Sequence, residues 1–334
     1  MFLGLARVEG RKNVDFCGLF GLLGGSEAFI HSVFADPMTE LIPTFTTAVN
    51  TWQCDENNHL NVQYYTDFAH RAQSLLLAEL GLGPRAQRTA GLSLRLVSDH
   101  VKYLREFRVV DGVEVRSAPV EIGARDLLAY HEIRNSGDGT VAATVQRRIA
   151  ADRNWPAAFR ARAEAAKATL PAIAAARSVG ELSPLPDLTL ADAASRGLIA
   201  IGRSVVMPDE CDASGTFLPR HVFGRYSDGA PILWNHLGFD RSAMQERGEG
   251  SVVVEMLNEY RAPLAAGDLA VVMSGLADHT DRILKFTHFL FEGETGRLAA
   301  CAEATGMKLD QKLLKTMTFS AADQVRLSAG KISL

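Results

Sequence analysis

Cysteine is scarce in this chain. Four occur in 334 residues, at positions 17, 54, 211 and 301. They form no CxxC pair and no metal-ligand spacing, which argues against a disulfide framework or a structural zinc site and fits a reduced, intracellular and cytoplasmic protein. Long apolar runs are also missing: none approaches the roughly 20 residues of a membrane span. There is no excess of one charge. The net charge is −4, with both signs spread along the chain, so the basic patch or stripe of a nucleic-acid binder is absent. No glycine-rich phosphate loop and no cluster of metal ligands occurs, and the sequence implies no metal and no redox cofactor.

What is present is apolar residue, 47% of the chain, ample for a substantial core. Residues 1–37 show little periodicity. Arg11, Lys12 and Asp15 interrupt the apolar stretch that a signal peptide would need, so residues 1–39 read as a poorly ordered extension, with Met38 standing just before the first strand.

The remainder reads as two copies of one unit. Cys54-Asp55 falls on Cys211-Asp212, a shift of 211 − 54 = 157. At that shift His131 meets His288, and Gly139 meets Gly296. "VKYLREFR" (101–108) resembles "VEMLNEYR" (254–261) at a shift of 254 − 101 = 153, which requires a four-residue length change between the copies. The units are expected over 40–152 and 198–315. A helix-forming linker (153–197), interrupted by Pro171 and leading into an extended segment at Pro184 and Pro186, joins them, and 316–334 forms a tail.

Each unit starts with a short β-branched and aromatic strand. In the first unit "VQYYTDFAHRAQSLLLAELG" follows, with Tyr65, Phe68, Ala72, Leu75, Leu76 and Leu80 at helical spacing and Gly81 and Gly83-Pro84 as stop signals. Several strands come next, with Asp111-Gly112 and Asp138-Gly139 as turns. The expectation is α+β: an antiparallel sheet laid on one helix, twice over.

The strand-to-helix junction holds "TWQCDENNHLNVQYY" (51–65). This stretch resembles the motif of hotdog-fold thioesterases of the 4-hydroxybenzoyl-CoA thioesterase and acyl-ACP thioesterase groups. Asp55, His59, Asn61 and Tyr65 occupy matching places; Val62 departs from a second Asn, and Asn58 from the usual Gly or Gln. The resemblance covers 40–150 well and 198–315 more weakly. It implies a double hotdog that hydrolyses an acyl-CoA thioester. Acyl-ACP is the alternative carrier, and a non-catalytic acyl-CoA sensor the alternative class. The Asp/His arrangement of hotdog enoyl-CoA hydratases, further along the helix, is not found. A monomer or a homodimer is compatible with two units in one chain.

On that resemblance Asp55, at a strand end, is the candidate base or nucleophile, beside Trp52 and Tyr65 as substrate-binding groups. The N-terminus of the following helix supplies free N–H groups for an oxyanion, with His59 and Asn61 positioning the carbonyl or the water. Asp55 also fits a plain acid at a helix N-terminus, Asn61 a plain cap, His59 a hydrogen-bonded structural histidine, and Tyr65 a core residue. In the second unit Asp212 remains, while Thr216 and Leu218 replace His59 and Asn61. Asp212 is therefore expected in a secondary, substrate-binding role, with one functional site centred on the first unit. Cys54 is read as a small buried residue rather than a nucleophile, because it and Asp55 point to opposite faces. Arg105, Arg108, Arg147 and Arg148 are the guanidinium groups near the sheet that could meet coenzyme A phosphates.

Overall fold

The structure is a computed structural model and describes residues 40–179, 188–313 and 315–333. The expected N-terminal extension and the segment around Pro184 and Pro186 lie outside the described residues.

The first unit comprises β1 (Ile42–Ala48), α1 (Val62–Glu79), a short α2 (Pro84–Ala90), β2 (Leu94–Tyr103), β3 (Gly112–Ile122), β4 (Asp126–Asn135) and β5 (Val141–Ala151). α3 (Ala157–Ala165) and α4 (Leu190–Ser195) lead to the second. That unit holds β6 (Ile199–Val205), α5 (Pro219–His236), α6 (Arg241–Glu246), β7 (Glu249–Tyr260), β8 (Leu269–His279), β9 (Ile283–Glu292) and β10 (Leu298–Asp310). β11 (Lys315–Thr316) and α7 (Ala321–Ala329) close the chain. The residues read as a tail thus include a helix, whose Leu327 is fully buried.

All strands belong to one antiparallel sheet in the order β1-β3-β4-β5-β2-β7-β10-β9-β8-β6, with β11 on β10. Each unit wraps half of that sheet around its long helix, so the chain is a tandem hotdog. β2 and β7 form the seam, with Val101 opposite Met256.

Local chemistry explains both long helices. In α1 the side chain of Asn61 accepts the Gln63 N–H at 3.1 Å and caps the start. Tyr65, Phe68, Ala69, Ala72 and Leu76, at three- and four-residue spacing, are buried against the sheet. α5 opens on Pro219, which has no N–H to leave unsatisfied. It approaches its neighbours closely: a Cβ at Gly229 would lie 2.7 Å from the Ile201 carbonyl oxygen. The two units share one core, in which Tyr65, Phe68 and Val101 of the first join Phe223, Tyr226 and Met256 of the second.

The repeat is more regular than its letters suggest. The β2–β5 ladder skips Val97 and the β7–β10 ladder skips Val254, bulges 254 − 97 = 157 residues apart. The Leu60 N–H donates to the Phe107 carbonyl at 2.8 Å, and the Phe217 N–H to that of Leu264 at 2.9 Å, again 157 apart. Tyr103 therefore corresponds to Tyr260, and the 153-residue match of 101–108 with 254–261 is corrected. A slip of four keeps every side chain on its face of a strand, so the wrong register still looked similar.

The seam also buries an ion pair. Arg147 and Asp99 are both fully buried and meet twice, Nε to Oδ1 at 2.6 Å and Nη2 to Oδ2 at 2.7 Å. Asp99 also accepts the Tyr260 hydroxyl at 2.9 Å. Removing one partner strands a charge in the core. Arg147→Ala is expected to cost about 3–5 kcal/mol by denaturant midpoint, whereas the paired apolar replacement Asp99→Leu/Arg147→Met stays within about 1–2 kcal/mol of wild type or exceeds it. Equal losses in the single and the paired variant would show that the charges are not what the pair contributes.

Candidate functional site

After β1 the chain turns through a single 3₁₀ turn (Thr51–Gln53), and Cys54 bridges back to Leu60. Residues 55–59 form the loop between them. Asn58 sits in the left-handed region at φ 66°, a conformation that asparagine tolerates; the equivalent position of the second unit carries Gly215 at φ 82°. The Asp55 N–H donates to the His59 carbonyl, and the Asn57 N–H to Asp55 Oδ1, both within 3.0 Å. These bonds aim the second carboxylate oxygen at His59, whose Nδ1 is 3.3 Å away. His59 Nε2 faces Glu106 Oε1 at 3.8 Å.

Asp55 is 18% exposed along its side chain. Burial lifts its carboxyl above the ordinary carboxylate range, against the pull of His59 and of the Asn57 amide. Asn61 starts α1 and also reaches the other unit, its Nδ2 donating to Ser227 Oγ at 3.2 Å. Tyr65 is buried, with its ring edge-on to Tyr103 and its hydroxyl donating to the Arg105 carbonyl at 3.3 Å. The Val62 N–H, first in α1, meets no acceptor among the described residues.

Asp55, His59, Asn61, Val62 and Tyr65 border a cavity of about 920 Å³. Its far wall comes from the second unit: Phe223, Leu233 and Trp234 of α5, with Met256 and Phe286 from the sheet. Pro231 of α5 also faces it. With no N–H to donate, Pro231 leaves the Ser227 carbonyl without its helical partner, at the point where Asn61 crosses from α1. Arg105, Arg108 and Arg241 stand on the polar side. Arg105 makes no side-chain hydrogen bond or ion pair among the described residues, whereas Arg108 is 3.2 Å from Glu106, and Arg241 is 3.1 Å from Glu56.

Other expected contributors stand elsewhere. Trp52 is 75% exposed and does not line the cavity, because the 3₁₀ turn rotates it outward; the burial of Asp55 owes nothing to it. Asp212 is exposed and spends Oδ1 on the Ser214 N–H, the Ser214 hydroxyl and the Thr216 N–H, holding its own turn. It too lies outside the cavity. Cys54 faces the Asn50 carbonyl at 3.8 Å, and burial pushes its thiol up, which leaves it a poor nucleophile. Arg147 is consumed by Asp99, and Arg148 by Asp126 and Glu121. Sequence reasoning missed the α5 contributors Ser227 and Asp228. Asp228 stands at the cavity rim, its carboxyl raised by partial burial. Its signal in the sequence was an acid on a helix with a proline three residues on, legible only once the helix is known to face the other unit.

The pseudo-equivalent place in the second half is filled. Where the cavity has Met256, paired across the ladder with Ala304, the other side has Asp99 paired with Arg147, by 256 − 99 = 157 and 304 − 147 = 157. The ion pair occupies one site, and the opening is the other.

The family model of the Thioesterase-like superfamily matches residues 49–151 and 206–326, together more than half of the chain, the second match starting 206 − 49 = 157 residues after the first. No curated protein sequence matches. Among solved structures, a putative oleoyl thioesterase from Lactobacillus plantarum aligns with a TM-score of 0.62 at 11% identity, over 81% of this chain and 97% of that one. The 12:0-ACP thioesterase of Umbellularia californica gives 0.58 at 12%, over 79% and 93%. An acyl-ACP thioesterase from Bacteroides thetaiotaomicron gives 0.55 at 10%, over 79% and 96%. These likenesses are of fold. The two family matches coincide with the two units, and the chain belongs to the Thioesterase-like superfamily, a thioester hydrolase in tandem hotdog form.

Proposed function

We propose that this chain hydrolyses an acyl-CoA thioester at one site, with Asp55 as general base. The observation that carries this is the half-dry Asp55 carboxylate, held by His59 beside the Val62 N–H, which meets no acceptor among the described residues, at the mouth of a largely apolar cavity. The ionised carboxylate takes a proton from water, and the hydroxide forms its bond to the thioester carbon. The oxyanion is met by the Val62 N–H and the positive end of α1. Collapse breaks the carbon–sulfur bond, and the thiolate takes the proton back from Asp55. His59 orients the carboxylate, and Asn61 ties the start of α1 to Ser227. The acyl group occupies the cavity between Tyr65, Phe223, Trp234 and Phe286.

Coenzyme A is the carrier favoured by Arg105 and Arg108, exposed guanidinium groups at the cavity edge that suit phosphate. Acyl carrier protein is the second reading, supported by the two similar structures described as acting on acyl-ACP. Equal panels of CoA and carrier-protein thioesters, followed by thiol release, separate the two. Arg105→Ala should raise KM for acyl-CoA several-fold with kcat little changed, and the wild-type KM should rise with salt. An unchanged KM removes Arg105 from phosphate recognition.

Asp55→Asn should lower kcat by about 10²–10⁴. Asp228→Asn tests the other raised carboxyl in the cavity; a loss confined to that variant would move the base to α5. The wild-type rate should climb with pH through the lifted Asp55 value, above the usual ~3.9. Linkage carries the opposite sign. A raised carboxyl contributes stability that is fully present below ~3.9 and lost as pH rises through the folded value. At pH 7 Asp55→Asn should therefore match or exceed wild type in denaturant midpoint. A less stable, inactive variant would instead mark Asp55 as structural.

A further inference from the structure

The two halves differ in what satisfies a pair of matched histidines. In the first unit His131 Nδ1 meets Ser117 Oγ at 2.7 Å, and its Nε2 meets Gln73 Oε1 at 3.2 Å, closing both ends of the ring. In the second unit His288 Nδ1 meets Ser274 Oγ at 2.6 Å. The position matching Gln73 is Ala230, since 230 − 73 = 157, and Nε2 has no partner among the described residues. Ala230 and His288 both line the cavity. His288 is 5% exposed, stacked on Tyr226 with centroids 4.9 Å apart, and one side-chain alternation beyond Phe286 on β9.

Tyr103 shows the same loss. Its counterpart Tyr260 donates to Asp99, but the place of Asp99 is taken by Met256, and the buried Tyr103 hydroxyl has no partner among the described residues. Tyr103 lines the cavity as well. The cavity side thus lacks two polar partners that the other side has, and keeps the two groups that they serve there. An apolar cavity that binds a plain hydrocarbon chain gains nothing from unmet polar atoms, which cost free energy when desolvated.

The chemistry of the ring sets the kind of ligand. Ser274 is fully buried, and the imidazole is its one side-chain partner among the described residues. Its hydroxyl proton goes to Nδ1, because the alternative leaves a buried O–H unmet. Nε2 then carries the N–H and points a donor into the cavity. Burial pushes the His288 pKa down to about 4, so the ring is neutral at pH 7. A neutral ring gives a terminal carboxylate no countercharge, whereas an uncharged oxygen needs none.

We infer that the acyl group taken by this site carries an uncharged oxygen function, a hydroxyl or keto group remote from the thioester, which accepts a hydrogen bond from His288 Nε2–H and meets the Tyr103 hydroxyl. This deepens the proposed function and rests on it for the identity of the cavity as the acyl site. His288 and Tyr103 are then specificity-determining residues, and plain saturated chains are the poorer substrates.

The test uses the full chain and matched acyl-CoA pairs of equal length, with and without a hydroxyl or keto group at successive chain positions. Thiol release gives the ratio of kcat/KM within each pair. Calorimetric titration of the same pairs into Asp55→Asn gives the ratio of Kd without turnover. At one or a few positions the oxygenated chain should be favoured about tenfold or more by both ratios. His288→Phe, which keeps a ring of similar size, should bring the ratio at those positions close to one, and Tyr103→Phe, which deletes only the hydroxyl, should reduce it. Ratios near one at every position in the wild type, or ratios that persist in both variants, overturn the inference. Preference in binding without any thiol release from the wild type would sustain the acyl-group assignment while ending the hydrolase mechanism. Absence of both binding and turnover overturns the two together.

Discussion

The pairing of β2 with β7 is the constraint on which the rest of the molecule depends. Five residues on each side, from Ser98 opposite Glu259 to Lys102 opposite Glu255, convert two half-sheets into one continuous surface. Because the strands are antiparallel and related by the repeat, the two helices that each half-sheet carries come to lie side by side. The N-terminus of α1 then faces the middle of α5, as the Asn61–Ser227 bond records. Both units line the cavity. The first brings the carboxylate, the imidazole and the free end of a helix, and the second brings the walls.

The same pairing creates two symmetry-related places, and the chain uses them differently. One is packed with Asp99, Arg147, Gln73 and His131, all largely buried. The other is hollow. Two adjacent half-buried hollows would cost much of the apolar contact that a shared core supplies. Filling one with a bidentate ion pair and hollowing the other reconciles a sizeable cavity with a continuous core, and it explains why Asp212 keeps its turn but not its neighbours.

Much of this was legible in the sequence, because it is local. The Asp55–Asn61 motif, the apolar stripe of α1, the stop signals after it and the 157-residue spacing of His131 and His288 are all written in short windows. The contributors from α5 were not, since Ser227, Asp228 and Pro231 acquire meaning only when a helix 166 residues away from Asn61 is brought beside it. Trp52 illustrates the reverse error. An aromatic residue three places from a candidate catalytic acid reads as pocket lining, but one 3₁₀ turn suffices to point it at solvent. The alignment of the two copies over 101–108 was obscured for a related reason: a four-residue slip preserves the inside–outside alternation, and the bulges at Val97 and Val254 break the tie.

The buried Arg147–Asp99 pair has a consequence for how the chain can change. The interior accepts both charges or neither, so a change at one of the two positions alone fails in either direction. Replacing either residue alone leaves an unmatched charge in a dry interior, so the single variant folds poorly. The pair thus acts as a lock: with both charges in place, no single substitution reopens the space that they fill. The backbone keeps a symmetry that the chemistry lacks, because the backbone can change gradually and the ion pair cannot.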